Sequence, residues 1–176
     1  MSIWIIFIIG VSLSMDAFSL SLAYGTLDLK EKDMDILSII VGIYHFIMPL
    51  LGVFIGAIIL KWFPINPDII VFIVLSFIGI QMLIESKKEQ DDIKKLTILE
   101  MLCFGLAVSI DSFSVGVGLR LLTSHYFLCA GLFALTSFGF TFLGLHLGKK
   151  VHQRLGKIST IIGGLVLVIL GLVYLI

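Results

Sequence analysis

Six long apolar runs, separated by short charged stretches, limit what this chain can fold into more than any other feature it has. They read as Ile3–Tyr24, Ile36–Leu60, Ile69–Ile84, Ile98–Leu119, Tyr126–Leu147 and Ile158–Ile176. A helix needs about 20 residues to cross about 30 Å of hydrocarbon. Most of the runs are close to that length, and the third is shorter. Of the 176 residues 59% are apolar and 14% charged, with a mean hydropathy of +1.17; soluble domains have about 45–50% and about 25%. Packed as buried core helices, six such runs would leave too little polar surface to cover them. The expected fold class is therefore an all-α integral membrane protein with six transmembrane helices. The formal net charge of zero gives no indication of a nucleic-acid or acidic partner.

Met1-Ser2-Ile3-Trp4 has no basic residue and Asp16 interrupts the first run, so this run is expected to stay as a span rather than be removed as a signal peptide. Trp62 and Phe63 read as interfacial anchors before the third span, and Asn66-Pro67 as the intervening turn. The charged stretch Glu85 to Lys95 reads as a solvated connector without chemistry, and Cys103 and Cys129 as packing residues. Basic residues are retained on the cytoplasmic side. Lys30 and Lys32, then Lys87, Lys88, Lys94 and Lys95, then Lys149, Lys150, Arg154 and Lys157 fall in the first, third and fifth loops, against Lys61 and Arg120 on the other side. The expected location is the bacterial cytoplasmic membrane, multi-pass, with both termini outside.

The chain also repeats itself. Gly10, Ser14, Asp16, Phe18 and Ser19 recur 95 positions later as Gly105, Ser109, Asp111, Phe113 and Ser114. Phe46, Leu51, Gly52 and Gly56 recur at an offset of 92 as Phe138, Leu143, Gly144 and Gly148, and Gly79 corresponds to Gly171. This divides the chain into a first three-helix repeat at 1–88, a cytoplasmic linker at 89–97 and a second repeat at 98–176. Three is odd, so the second half enters the membrane from the opposite side and the repeats are inverted. Transporters use such halves to build a shared site near the midplane that opens to each side in turn. A duplication kept only for structure would have no need of a buried charge in both copies.

Asp16 and Asp111 are the acidic residues deepest in the spans. A charged side chain at a helix centre costs about 2.5–3.5 kcal/mol on insertion scales, which makes intramembrane carboxylates functional candidates. On a helix, Ser12 and Ser19 share the face of Asp16, and Ser114 that of Asp111. Their hydroxyls either supply oxygen ligands or bond their own backbone. Two converging carboxylates make an anionic oxygen site suited to Mn²⁺, Mg²⁺ or Ca²⁺. A carboxylate that holds a cation cannot also hold a proton well, so cation and proton are expected to exchange there. His45, four residues before Pro49, reads as an additional ligand, a proton relay or a packed histidine. Pro49 is expected to bend its helix and free a carbonyl. The pairs Gly52/Gly56 and Gly144/Gly148 read as close helix contacts. Gln81, His125, His146 and His152 receive no role.

The paired SMDAF and SIDSF segments, His-Phe-Ile-Met-Pro-Leu-Leu-Gly at 45–52, Gly-Ile-Gln-Met-Leu-Ile-Glu at 79–85 and Gly-Gly-Leu-Val-Leu at 163–167 resemble the MntP-type manganese efflux pumps over essentially the whole chain. The resemblance implies a six-helix inner-membrane exporter with Mn²⁺ as transported substrate, no permanently bound cofactor, no enzymatic activity, and Asp16 and Asp111 at the family's intramembrane acidic positions. Some members have an acidic or amide side chain at the place of His45. A related branch, the YtaF-like sporulation membrane proteins, shares the architecture, and the MPLLG segment after His45 looks more like the manganese branch. The alternatives are a YtaF-like protein without manganese transport, an exporter of another small solute, and an intramembrane aspartyl protease. A solute carrier would call for more intramembrane polar donors. Met15 and Ile110 before the aspartates do not match the glycine and tyrosine that such proteases resemble one another in.

Overall fold

The computed structural model describes residues 3–56, 72–73, 76–77, 79–80, 83–84, 96–155 and 157–173. Among them there is no β-strand. Five helices stand out: α1 (Ile3–Tyr24), α2 (Glu31–Leu51), α3 (Ile98–Leu122), α4 (Tyr126–Leu155) and α5 (Lys157–Val173). A 3₁₀ turn, Gly25–Leu27, follows α1, and a wider π-type turn, Gly52–Gly56, continues α2. Four helical stretches, Ile6–Leu27, Glu31–Phe54, Ile98–Leu119 and Tyr126–Arg154, are long and apolar enough to cross a membrane. The third expected span is described only at 72–73, 76–77, 79–80 and 83–84, which are helical. Lys61, Trp62, Phe63, Asn66-Pro67, Gln81 and the connector Glu85–Lys95, with nearly all of the linker at 89–97, lie outside the described residues.

Two helices extend past their apolar runs. α2 begins at Glu31, not Ile36, because Glu31 and Asp33 in its first turn complement the positive helix end. α4 runs to Leu155, eight residues past Leu147, and carries His152 and Arg154 in its last turn, where cations suit the negative helix end. From this extension Lys149 Nζ donates to the Leu29 carbonyl at 3.0 Å, tying α4 to the loop after α1. That loop turns at Asp28, whose φ of 52° is left-handed, a conformation in which aspartate is one of the more tolerated residues. The entry to α3 is fixed twice. Leu96 N–H donates to Asp33 Oδ2 at 3.0 Å, and Thr97 and Glu100 form a reciprocal capping box.

Two apolar clusters fill the interior. One joins Tyr24, Leu29, Met34, Leu37, Phe104, Val108 and Leu145, with the Tyr24 ring stacked on Phe104 at 4.9 Å. The other joins Ile6, Leu13, Val53, Leu119, Cys129 and Phe133. The first draws on the C-terminal half of α1 and the second on its N-terminal half, so they sit towards opposite ends of the bundle. Cys129 is buried in the second cluster, Cys103 is half-buried, and both are free thiols. Outward, α2 and the turn that continues it present Ile36, Ile39, Ile43, Ile47, Leu51 and Phe54, an exposed apolar stripe that suits lipid and would be a liability in water.

Candidate functional site

Between the two apolar clusters lies a polar layer. Ser14, His45, Ser109, Ser112, Ser137 and Thr141 are all fully buried there, contributed by α1, α2, α3 and α4. Three of their hydroxyls turn back on their surroundings: Ser14 Oγ donates to the Gly10 carbonyl at 2.6 Å, Ser109 Oγ donates to that of Gly105 at 2.7 Å, and Ser14 and Ser137 share a hydrogen bond at 3.1 Å.

Helix register positions this layer. α1 and α4 lie side by side in the same direction. Along them in order, Gly10 faces Phe133 and Thr136, Ser14 meets Ser137, and the Phe18 ring stands edge-on to Phe140 at 6.1 Å. Further along, a Cβ at Gly144 would lie 2.7 Å from the Phe18 carbonyl oxygen, and one at Gly148 would collide with that of Leu22. α2 and α3 are parallel in the same way. Gly105 faces Tyr44 and Ile40, Gly116 presses on the Pro49 backbone, and Gly52 presses on the Phe113 carbonyl and Val117.

The two sets of contacts are the same set. Shifting α1 by 95 and α2 by 92 turns Gly10–Thr136 into Gly105–Tyr44, and Phe18–Gly144 into Phe113–Gly52. Where α2 crosses α4, a Cβ at Gly42 would lie 3.3 Å from the Ala134 carbonyl oxygen. Residues 42 and 134 are each other's counterparts at the offset of 92.

Both aspartates sit midway along their helices. Asp111 is half-buried and accepts from the Ser112 backbone N–H at 2.7 Å. Asp16 is exposed on α1. Ser12 and Ser19 are exposed with Asp16 on one face of α1, and Ser114 is exposed on α3. Ser19 Oγ donates to the Met15 carbonyl at 2.9 Å, so in this conformation its hydroxyl is engaged by its own helix. His45 is fully buried: Nδ1 lies 3.0 Å from the Val41 carbonyl oxygen, and Nε2 has no hydrogen-bond partner. α2 runs on through Pro49, and the Gly52 N–H is shared between the Met48 and Pro49 carbonyls as the helix widens. His146 Nδ1 lies 2.8 Å from its own helix at Phe142, and His125 is exposed in a loop.

Each aspartate thus lies in the middle of its own helix, and the structure does not assemble a complete metal cage around either. Among the described residues no three histidine, cysteine, aspartate or glutamate side chains gather closely enough to hold an ion. Hard cations also accept hydroxyl oxygens, and this layer holds several hydroxyls. Sequence reasoning missed Ser112, Ser137 and Thr141 as members of the layer, and the buried Ser21 further along α1. The signal was partly present, since Ser14 and Ser109 are equivalent positions of the repeat, but nothing in the sequence paired α1 with α4.

Comparison with known proteins agrees with these features. Residues 28–175 match the Mntp family, whose description is "Putative manganese efflux pump". Proteins named "Putative manganese efflux pump MntP" are similar along most of their length. That of Bacillus pumilus is 34% identical over 166 residues, covering 94% of this chain and 90% of the relative. That of Bacillus licheniformis is 37% identical over 162 residues, covering 92% and 87%. That of Geobacillus kaustophilus is 33% identical over 164 residues, covering 93% and 90%. No solved structure matches the chain. A multi-pass helical membrane protein with this match along nearly its whole sequence belongs to the Mntp family of manganese efflux pumps.

Proposed function

We propose that this chain exports Mn²⁺ across the cytoplasmic membrane by alternating access, with Asp16 and Asp111, one from each inverted half, as the central ligands and protons as the exchanging ion. The observation that carries the reading is the exchange of partners between halves: the first helix of each half packs in parallel on the second helix of the other, through equivalent residues. An inverted repeat has this property. A simple four-helix hairpin array does not, because neighbours joined by short loops run antiparallel.

The same packing supports six spans. α2 and α3 are parallel, so the chain between them has to return across the bilayer once, which is the work of the third span. With loops one, three and five cytoplasmic, both termini lie outside. Asp16 is exposed and Asp111 is anchored through the Ser112 N–H, and on this reading the cation meets Asp16 first. The names of the relatives supply the choice of metal. Ser12, Ser19 and Ser114 stand as further oxygen donors on the carboxylate faces, with His45 as a nitrogen donor from α2.

Metal content read element by element, in cells with and without the protein, tests the reading. After a manganese challenge, cellular Mn is expected to fall when the protein is present while Mg and Ca stay level. Equal manganese in both, or a fall in a different solute, overturns it.

A further inference from the structure

Among the described residues, Ser21 Oγ, Thr141 Oγ1, His45 Nε2 and Ser76 Oγ are buried without a hydrogen-bond partner, and the first three lie beside the glycine contacts that join α1 to α4 and α2 to α3. A buried hydroxyl or imidazole left without a partner is costly, so the three at these helix interfaces call for a ligand in some state of the protein. Their places are not random. Ser21 lies against Gly144, where a Cβ would come within 2.8 Å of its own Cβ, and Thr141 is one turn before Gly144 on the same helix. His45 lies one turn before Pro49, which Gly116 presses upon.

Each of these three therefore sits on the midplane side of a tight backbone seal, or within it. The seal between α1 and α4 consists of Gly144 and Gly148 against Phe18, Leu22 and Gly25. That between α2 and α3 consists of Gly52 and Gly116 against Phe113, Val117 and Pro49. α1 reaches its seal at its C-terminal end, next to the first loop. α3 reaches its seal at its own C-terminal end, next to the loop at 123–125. By the direction of the helices these ends face opposite sides of the membrane. Both seals are closed in this structure.

We propose that the two glycine seals are the inner and outer gates of one pathway, and that Ser21 within the first and Thr141 behind it, and His45 behind the second, are the groups a hydrated divalent cation meets as each gate parts. The chemistry fits the order of events. Hydroxyl oxygens can replace water around an Mn²⁺ ion on its way to the carboxylates, and an imidazole nitrogen offers a borderline donor on the far side. Glycine makes the gates possible, because helix backbones that meet without side chains close tightly and separate without unpacking a core. The two gates are unequal. At the positions of His45 and Pro49 the other half has Ser137 and Thr141, so exit passes a nitrogen donor beside a widened helix while entry passes only hydroxyls.

This inference rests on the alternating-access reading, and its test can fail separately. In a chain carrying Cys103→Ala and Cys129→Ala that still rescues manganese-challenged cells, single cysteines are placed at 21, 141, 45 and, as an exposed loop control, 124. A membrane-impermeant maleimide is then applied to right-side-out and inside-out vesicles with Mn²⁺ present. Ser124→Cys fixes the side of the α3–α4 loop. His45→Cys is expected to react from that same side, and Ser21→Cys and Thr141→Cys from the opposite side, each with a preference of about tenfold or more. Ser109→Cys, a buried position of the same polar layer on α3, replaces His45→Cys if that variant does not insert. Labelling of both groups from one side, or failure of either group to label while Ser124→Cys does, overturns the gates. Two-sided labelling together with full rescue by Asp16→Asn and Asp111→Asn would instead leave the gates standing and remove the aspartate site.

Discussion

Either Asp16→Asn or Asp111→Asn is expected to yield a membrane-inserted protein that no longer rescues manganese-sensitive cells, lowering the tolerated Mn²⁺ concentration by about tenfold or more. The sign of the effect on stability is expected to be opposite. Removing a charge from a span spares an insertion cost of about 2.5–3.5 kcal/mol, so the variants should be no less abundant in the membrane than the parent. Against this, each carboxylate charge at about 4 Å from a unit of cation charge contributes about 4 kcal/mol at an effective dielectric constant near 20. Loss of that attraction exceeds a tenfold change in affinity, which corresponds to about 1.4 kcal/mol. A structural aspartate would behave in the reverse way, with abundance falling and transport per molecule intact. Membrane abundance by immunoblot, read beside growth at graded manganese, separates the two.

The second large effect concerns neighbouring glycines on α3. Gly116→Ala puts a carbon against the Pro49 backbone, and backbone cannot swing aside as a side-chain tip can. Overpacking of this kind costs about 1–3 kcal/mol, which outweighs the gain of up to about 1 kcal/mol that alanine has over glycine in a helix. Gly118 has nothing within 4 Å of where its Cβ would stand. Gly118→Ala is therefore expected to be neutral or slightly stabilising, and Gly116→Ala destabilising, two residues apart in one helix. The pair Gly148 and Gly139 on α4 repeats the contrast, since Gly148 meets the Leu22 carbonyl and Gly139 has no neighbour within 4 Å. Thermal unfolding of the detergent-purified variants reads both contrasts. Equal midpoints for Gly116→Ala and Gly118→Ala would mean that α2 and α3 do not meet as described.

Much of the architecture is legible in the sequence because lipid imposes it. An apolar run of span length leaves the backbone no alternative to a helix, and α1, α3 and α4 start where their runs begin, to within a residue or so. Their ends are less legible. α2 starts at Glu31 and α4 ends at Leu155 in charged sequence, where helix continues for reasons of terminal charge and a lysine contact rather than hydropathy. The repeat is visible as two offsets, and residues at those offsets make matching contacts, Gly10 with Thr136 as Gly105 with Tyr44, and Gly144 with Phe18 as Gly52 with Phe113.

The GxxxG pairs announced close contact but not its partner, because a small residue carries no address. That α1 pairs with α4 and α2 with α3 required coordinates. Of the candidate site, the aspartates were readable from cost alone, since a charge in a span demands a reason. The buried hydroxyls were not, because a serine in a membrane helix usually bonds its own backbone, as Ser19, Ser38 and Ser109 do here. Only burial and the lack of a partner set Ser21 and Thr141 apart, and neither property is written in residue type.

Purified protein in sealed lipid vesicles offers the shortest route to the central idea, which is that one negative group from each half holds the travelling ion. Manganese supplied on one side should accumulate on the other with the unaltered chain, and stay at the protein-free background with Asp16→Asn, with Asp111→Asn and with both together. Accumulation at the parental rate by the doubly substituted chain would contradict the account.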